Sequence, residues 1–306
     1  MKKTIFTLIT IIILTMPAYA DTGQAGQEID VLKAGVGARA LGMGGAFVAI
    51  ADGADAPYWN PAGLSQVDLH EITTMQTKLS TDADHYYISY VQPFMGGALG
   101  VSWIQVGLGD IALTEAATNE YNEVVTRGIF SYFSNAYMLS YGRNLIKNLS
   151  FGLTAKYLQA SMSDISSGEA YGYSLTAGLL YKPSKNLSIG LKVDELINSQ
   201  KWGTGTEENV PAKWRLGMAY LLPLFNTNFL LSGDVSQVAK EGYLAEYCAG
   251  AEWKMDGLSL RVGYLNDAMT AGAGFSTGRV EVDYAYVTQT ELSRENVHRI
   301  SLTGRW

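Results

Sequence analysis

Residues 149–157 read LSFGLTAKY, and their side chains alternate along the chain between apolar and polar or small. The odd positions carry Leu, Phe, Leu, Ala and Tyr, whereas the even positions carry Ser, Gly, Thr and Lys. Because successive side chains of a β-strand point to opposite faces, this period of two predicts a strand with one apolar and one polar face. The same alternation recurs in LSIGLKVD (187–194), KWRLGMAY (213–220), LSLRVGY (258–264) and VEVDYAYV (280–287).

The alternation extends from about residue 70 to residue 306, and helical spacing of apolar residues is nearly absent from this whole region. It divides this region into about fourteen predicted strands. Their approximate ranges are 70–80, 85–94, 97–108, 132–143, 148–161, 169–181, 187–197, 212–222, 228–236, 244–254, 258–265, 270–276, 280–289 and 296–306.

The connections between these strands alternate in length. Short segments with turn-forming residues follow the even-numbered strands near positions 95, 144, 182, 223, 254 and 276. Longer segments follow several odd-numbered strands, at 109–131, 198–210 and 288–296. Bacterial outer-membrane barrels have an even strand number, short periplasmic turns and longer external loops, whereas a soluble sandwich has no reason to place its long loops at one end. The pattern therefore predicts an all-β fold: a membrane-spanning, antiparallel, up-and-down β-barrel of about fourteen strands, residues 68–306.

The first residues predict export. Two lysines precede an apolar run at 5–16, and small residues follow at 18–20. This is the pattern of a secretory signal peptide, residues 1–20, and the apolar run is too short for a spanning helix. Without the two lysines, 20 basic and 29 acidic residues leave a net charge of −9, so no nucleic-acid partner is expected. The single cysteine, Cys248, cannot form an internal disulfide.

Residues 21–67 differ from the rest of the chain. They are rich in Gly and Ala, and DAPYWNPAGL (55–64) combines two prolines and a glycine with aromatic residues. A barrel of about fourteen strands has a lumen that is either plugged or conducting. We therefore predict that residues 21–67 form a hatch inside the barrel, with Tyr58 and Trp59 against the wall and Asn60 capping backbone groups. A short strand in AFVAIA (46–51) is also expected.

The sequence GVGARALGMGGAFVAIADGADAPYWNPAGLSQV (35–67) resembles the N-terminal signature of the PorV/PorQ family, within the wider FadL/TodX-like group of outer-membrane proteins. The resemblance implies a fourteen-stranded barrel with an N-terminal hatch. The residues that carry the motif in this chain, together with the neighbouring Tyr58, are Gly37, Arg39, Gly42, Met43, Gly44, Gly45, Tyr58, Trp59, Asn60, Pro61 and Gly63.

The resemblance also implies two possible functions. One is a gated channel for a hydrophobic small molecule such as a fatty acid or an aromatic compound. The other is a type IX secretion component or adaptor that handles secreted cargo, for which the segment 109–131 would be the contact surface. Both place the protein in the bacterial outer membrane, with membrane lipid and the barrel assembly machinery as partners. The aromatic last residue, Trp306, resembles the terminal signal that this machinery reads.

Charged residues on the polar faces are expected to point into the lumen, where they satisfy one another beside water. They are Lys156, Lys192, Asp194, Arg215, Asp234, Glu246, Glu252, Arg261, Glu281, Asp283, Arg299 and Arg305. No enzymatic activity, cofactor or metal site is predicted. The histidines His70, His85 and His298 lack ligand spacing, and GVGARA (35–40) resembles a dinucleotide fingerprint but is not followed by a βαβ unit.

Overall fold

The computed structural model describes residues 30–79, 82–116, 124–224, 227–288 and 296–306, so the predicted signal peptide lies outside the described residues. The chain forms an antiparallel sheet of fourteen long strands that closes because the first strand pairs with the last. They are β1 (Glu71–Lys78), β2 (Asp84–Phe94), β3 (Gly97–Ala116), β4 (Val124–Ile146), β5 (Leu149–Met162), β6 (Glu169–Tyr181), β7 (Leu187–Trp202), β8 (Lys213–Leu224), β9 (Thr227–Val238), β10 (Glu246–Met255), β11 (Leu258–Leu265), β12 (Ala268–Ser276), β13 (Val280–Val287) and β14 (Val297–Arg305).

Each strand pairs with its neighbours in sequence, which makes the barrel up-and-down, and residues Glu207–Glu208 add a short pairing to β7. The two faces of the strands lie as the alternation predicts. In β5, Leu153 and Tyr157 are exposed, whereas Thr154 and Lys156 are buried. The predicted fold class is therefore confirmed. No helix within the described ranges has the length and apolar character needed to cross a membrane.

One predicted loop is wrong, because most of residues 109–131 form strand. β3 continues to Ala116 and β4 begins at Val124, and the two extensions pair with each other, for example Ile111 with Phe130. β-Branched and aromatic residues favour this extended pairing. The hairpin projects beyond its neighbours, since β2 pairs with β3 only as far as Gly107. β7 likewise continues beyond its predicted end at 197, whereas most of the predicted loop 288–296 lies outside the described residues.

The short strand predicted in residues 46–51 is also wrong, because this stretch forms turns. The backbone N–H groups of Phe47 and Val48 donate to the Asp234 carboxylate over 3.0 and 3.1 Å, and the N–H of Ile50 donates to the carbonyl of Phe47. Buried backbone groups require partners, and here a side chain and a turn supply them in place of a strand ladder.

The described part of the predicted hatch, residues 30–67, is called the N-terminal segment below. It contains helices α1 (Asp30–Lys33), α2 (Ala38–Gly42) and α3 (Ala56–Trp59) and a 3-10 helix (Pro61–Gln66). Helix α2 contacts β11 to β14, whereas the 3-10 helix contacts β3 to β6 on the other side of the ring. The N-terminal segment thus touches inward faces around the wall, and its apolar residues supply most of the buried core.

Candidate functional site

The candidate site is the contact between the N-terminal segment and the inward faces of the strands. In the first half of the motif, Arg39 forms a two-pronged contact with Glu252 on β10, with N–O distances of 2.8 and 3.0 Å. The same guanidinium contacts Asp52 at 2.6 Å. Met43 is fully buried. Gly37 has a φ of 75°, and a β-carbon there would overlap the Asp55 carboxylate, so glycine suits this position.

The second half of the motif is held by hydrogen bonds within the segment and to the wall. The Trp59 indole N–H donates to the carbonyl of Val36 over 2.9 Å, and the Tyr58 hydroxyl donates to the carbonyl of Leu32. Asn60 is fully buried; its Oδ1 accepts from the N–H of Ala62, and its Nδ2 donates to the carbonyls of Val48 and Leu179. Pro61 begins the 3-10 helix, and a β-carbon at Gly63 would overlap the carbonyl of Ala51.

The twelve charged residues predicted to face the lumen are all buried or half-buried. One group joins β1, β10, β11, β13 and β14 to helix α2. Arg261 contacts Glu252 at 2.7 Å and Asp283 at 2.5 Å. Arg305 contacts Glu281 at 2.8 Å and Glu71 at 2.7 Å. Glu71 was not among the predicted residues, although its parity in β1 matches that of the buried positions.

A second group lies on β8 to β10. Besides accepting from the N-terminal segment, the Asp234 carboxylate lies 3.8 Å from Arg215, whose Nη1 donates to the carbonyl of Gly45 over 3.0 Å. The Arg215 guanidinium is 5.6 Å from the ring centroid of Trp59, within range of a cation–π contact. Glu246 pairs with Lys213 at 2.6 Å.

A third group surrounds a bulge in β7. The register between β6 and β7 shifts between Leu175 and Ala177, and Glu195 in the bulge has a φ of 58°. Glu195 and Asp194 therefore both reach Lys156, at 2.9 and 3.3 Å. A bulge re-aims side chains, so strict alternation could not predict an inward Glu195.

Lys192 completes this third group. It pairs with Asp194 at 2.8 Å and donates to the carbonyl of Tyr58 over 2.6 Å. Leu32 of helix α1, the rings of Tyr58 and Trp59, and the charged residues of this third group line a small cavity of about 60 Å³. The cavity is large enough for about two water molecules.

Glycines of the wall lie close against the N-terminal segment, and none of them was among the predicted site residues. A β-carbon at any of eight inward-facing glycines would overlap atoms of the segment. Side-chain-free positions let two backbones approach closely, so the segment fits against the wall at these points. The eight are Gly100, Gly142, Gly152, Gly178, Gly190, Gly217, Gly250 and Gly263.

Asp55 is the unusual acid of the segment. Burial, together with the nearby charge of Glu71, raises the pKa of Asp55 from its ordinary value of 3.8 to about 8. Its Oδ1 has no hydrogen-bond partner among the described residues. Asp52 is more exposed and behaves differently: partial loss of hydration opposes its ionisation, but the Arg39 guanidinium outweighs this and lowers the pKa of Asp52. The segment therefore carries one carboxyl group that favours the neutral form near neutral pH.

The remaining predicted residues lie apart from these groups. Arg299 Nη1 donates to the carbonyl of Ala34 over 2.5 Å, which fastens the start of the segment to β14. The backbone of Trp306 pairs with that of His70, and the two rings stack with centroids 5.9 Å apart. His298 contacts the Tyr284 hydroxyl, and His85 is buried on β2. The structure thus places the three histidines in separate surroundings.

The fold and the site define a class of protein: a closed fourteen-stranded barrel with exposed apolar outer faces and a polar interior that holds an N-terminal segment. Its fold is similar to that of the toluene transporter TodX of P. putida, with a TM-score of 0.63, 15% identity and coverage of 89% of this chain and 99% of that chain. It is also similar to the toluene transporter TbuX of Ralstonia pickettii, with a TM-score of 0.63, 14% identity and coverage of 89% and 98%.

A FadL homologue of Pseudomonas aeruginosa has the same fold, with a TM-score of 0.53, 11% identity and coverage of 95% of this chain and 99% of that chain. No family model and no curated protein sequence matches this chain. At these identities the comparisons establish the fold.

Proposed function

We propose that this protein is a FadL-like channel of the bacterial outer membrane that passes a hydrophobic small molecule, such as an aromatic compound or a fatty acid, and catalyses no reaction. The observation that carries the proposal is the barrel shared, over most of the chain, with the toluene transporters TodX and TbuX. The exposed apolar outer face supports the membrane location, because such a surface is stable only against lipid or another apolar surface.

In this proposal the N-terminal segment plugs the lumen against polar solutes. The two-pronged contact of Arg39 with Glu252 and the glycine contacts hold α2 and the 3-10 helix at several points of the wall. Helix α1 is a small part of this attachment: the Tyr58 hydroxyl donates to the carbonyl of Leu32, and just after the helix Arg299 donates to the carbonyl of Ala34. Opening by a shift of α1 therefore breaks fewer contacts than expulsion of the whole segment.

The test is solute entry into liposomes that contain the purified protein. We expect toluene or a long-chain fatty acid to enter faster than into protein-free liposomes, while a small sugar is excluded. Deletion of residues 21–67 should admit the sugar. As a less disruptive variant, Gly250→Leu together with Gly263→Leu should displace the segment and also leak. Gly109→Val is the matched control, since a β-carbon there meets only the Ser131 hydroxyl at 3.8 Å. Unchanged sugar exclusion in the deletion would refute the plug.

A PorV/PorQ-type adaptor for secreted cargo is the second candidate, and the projecting β3–β4 hairpin favours it. Val124 and Ile129 of this hairpin are 73% and 61% exposed, beyond the part of the barrel where β5 pairs with β4. An apolar surface in this position is suited to contact with another protein. Purification from native membranes, followed by mass spectrometry, should recover secreted proteins with the wild type. Recovery should fail when Val124 and Ile129 are changed to Ser, with hydrophobic solute entry unaffected.

A further inference from the structure

A groove of about 670 Å³ crosses the outer face of strands β1 to β5. Its walls are two neighbouring rows of outward side chains, which lie two residues apart along each strand. One wall is largely aliphatic and the other largely aromatic. The aliphatic wall includes Ile72, Val101 and Leu139, and the aromatic wall includes Trp103, Tyr137 and Tyr157.

The groove has space at Ala155, because this small side chain lies between the larger side chains of Leu139 and Tyr157. Ala155 pairs with Leu139 across β4 and β5, and Tyr137 and Tyr157 pair with each other in the next outward row. The exposed fractions of Leu139, Tyr137 and Tyr157 are 55%, 44% and 49%, so these side chains stand out from the wall. A methyl group between them leaves the channel unfilled.

The dimensions of the groove match one hydrocarbon chain. Five strands spaced at 4.7–4.9 Å give a length of about 19 Å. The hydrocarbon layer of one leaflet is about 15 Å thick, half of a 30 Å core. Strands of a barrel are tilted by about 35–45°, so a groove perpendicular to them is inclined to the membrane and an acyl chain can follow it.

The aromatic wall is fixed in place. The Trp103 indole N–H donates to Asn135 Oδ1 over 3.1 Å, and Gln105 donates to the same oxygen over 3.0 Å. The rings of Tyr137 and Tyr157 lie 6.2 Å apart, centroid to centroid. A wall that is already ordered loses little entropy when it binds a flexible chain.

Gln105 and Asn135, which share the hydrogen bonds that hold Trp103, also mark the end of the apolar surface of the outer wall. Gln105, Asn135 and Gln159 form one outward row across β3, β4 and β5, immediately beyond the aromatic wall. Aromatic side chains with polar neighbours are typical of the level of lipid headgroups. The groove runs parallel to this row, so a chain in it would lie within the apolar surface, next to the level of the headgroups.

Ser102 and Lys156, whose strands border the groove, have their polar groups on the lumen side, whereas the hydroxyls of Tyr90, Tyr137 and Tyr157 belong to the outward rows. The Lys156 ammonium is buried and pairs with Glu195, and the Ser102 hydroxyl bonds to that of Ser89 over 2.8 Å. The one charged residue of the lining, Lys156, is thus turned away from the groove, and the walls suit an occupant that is hydrocarbon along most of its length. Lipid surrounds this face at high concentration in the proposed membrane location, and an elongated groove across five strands fits a chain better than a compact molecule.

We propose that this groove is a binding site for one acyl chain of a membrane lipid. The proposal rests on the proposed membrane location and is independent of what the lumen conducts. The site would hold the chain against the aromatic wall, with the space at Ala155 as its deepest part.

The test uses protein reconstituted with dipalmitoyl phosphatidylethanolamine, transferred to mild detergent and measured by native mass spectrometry. We expect one retained lipid per wild-type barrel and at least fivefold lower occupancy in Ala155→Phe, which fills the groove. Ala249→Phe, an exposed alanine on β10 outside the groove, should match the wild type. The dioctanoyl lipid should be retained at least tenfold less, because its chains fill half of the length.

Heat-dependent gel mobility confirms that each barrel is folded, and Ala155→Leu provides a milder variant. Equal retention by the wild type and both groove variants would overturn the proposal, as would equal losses in Ala249→Phe. Displacement of the lipid by toluene at low concentration would assign the groove to a free hydrophobic molecule and also overturn it. Failure here leaves the solute-entry result untouched, so it is distinguishable from failure of the proposed channel.

Discussion

Replacement of Asp55 by Asn should remove a pH dependence from the attachment of the N-terminal segment. Burial, with a contribution from the charge of Glu71, raises the pKa of Asp55 from 3.8 to about 8. Between these values the attached state holds a proton that the released, solvated state gives up. The proton on Asp55 therefore stabilises the attached state fully below the ordinary pKa of 3.8, and this stabilisation is lost as the pH rises through about 8.

The magnitude follows from the linkage relation. Each pH unit within the window costs about 1.4 kcal/mol, so attachment should weaken by roughly 3 kcal/mol between about pH 5 and pH 7. Limited proteolysis of residues 30–67 in the folded barrel, followed across this range, measures the fraction released. The wild type should become steadily more susceptible as the pH rises, and Asp55→Asn should change much less over the same range.

Asp52→Asn is the matched control. Asp52 is ionised in both states within this range, because Arg39 lowers its pKa. Its side chain is 40% exposed, so loss of the pair should cost about 1 kcal/mol or less, without a change in slope. Parallel pH curves for the wild type and Asp55→Asn would refute the reasoning.

Three further changes test the remaining contacts. Gly263→Val should destabilise attachment by about 1–3 kcal/mol, because its β-carbon overlaps the backbone N of Gly44, and proteolysis of the segment should report this. Arg39→Ala should lower the free energy of unfolding in urea by about 2–3 kcal/mol, because it leaves the buried Glu252 carboxylate, 1% exposed, with fewer partners. Adding Glu252→Gln to the Arg39→Ala variant removes that charge and should recover part of the loss. Deletion of Trp306 should reduce folded barrel in the outer membrane, measured by gel mobility, whereas Trp253→Phe should not. Normal assembly without Trp306 would contradict the prediction that it acts as a terminal signal.

The strand pattern was predictable because the alternation is a local property. Each strand of a barrel has one face toward lipid and one toward the lumen, so the two chemistries appear at successive residues. The same rule placed Lys156, Lys192 and Arg261 on the buried face, where they lie. It failed for the projecting hairpin, because outside the barrel both faces meet water and residues 109–131 lack a strict period.

Partners within the interior could not be predicted, because they join residues far apart in sequence. The N–H of Ala38 donates to the Ser301 hydroxyl, 263 residues later in the chain. The N–H groups of Phe47 and Val48 donate to the Asp234 carboxylate, 187 and 186 residues later. From the sequence, Gly263 is only a small residue on a polar strand face. The structure shows that the backbone of Gly44 packs against it, which a side chain would prevent.

The sequence by itself determined the architecture and the direction of each strand face, since the outer surface and the lumen of a barrel impose a period of two on every strand. It also marked residues 21–67 as a separate segment with a different composition. Only the tertiary structure decided how that segment is fastened, why Glu195 turns inward at a bulge, and where a groove crosses the outer wall. Those features depend on register and on close approach between distant strands, which no local pattern encodes.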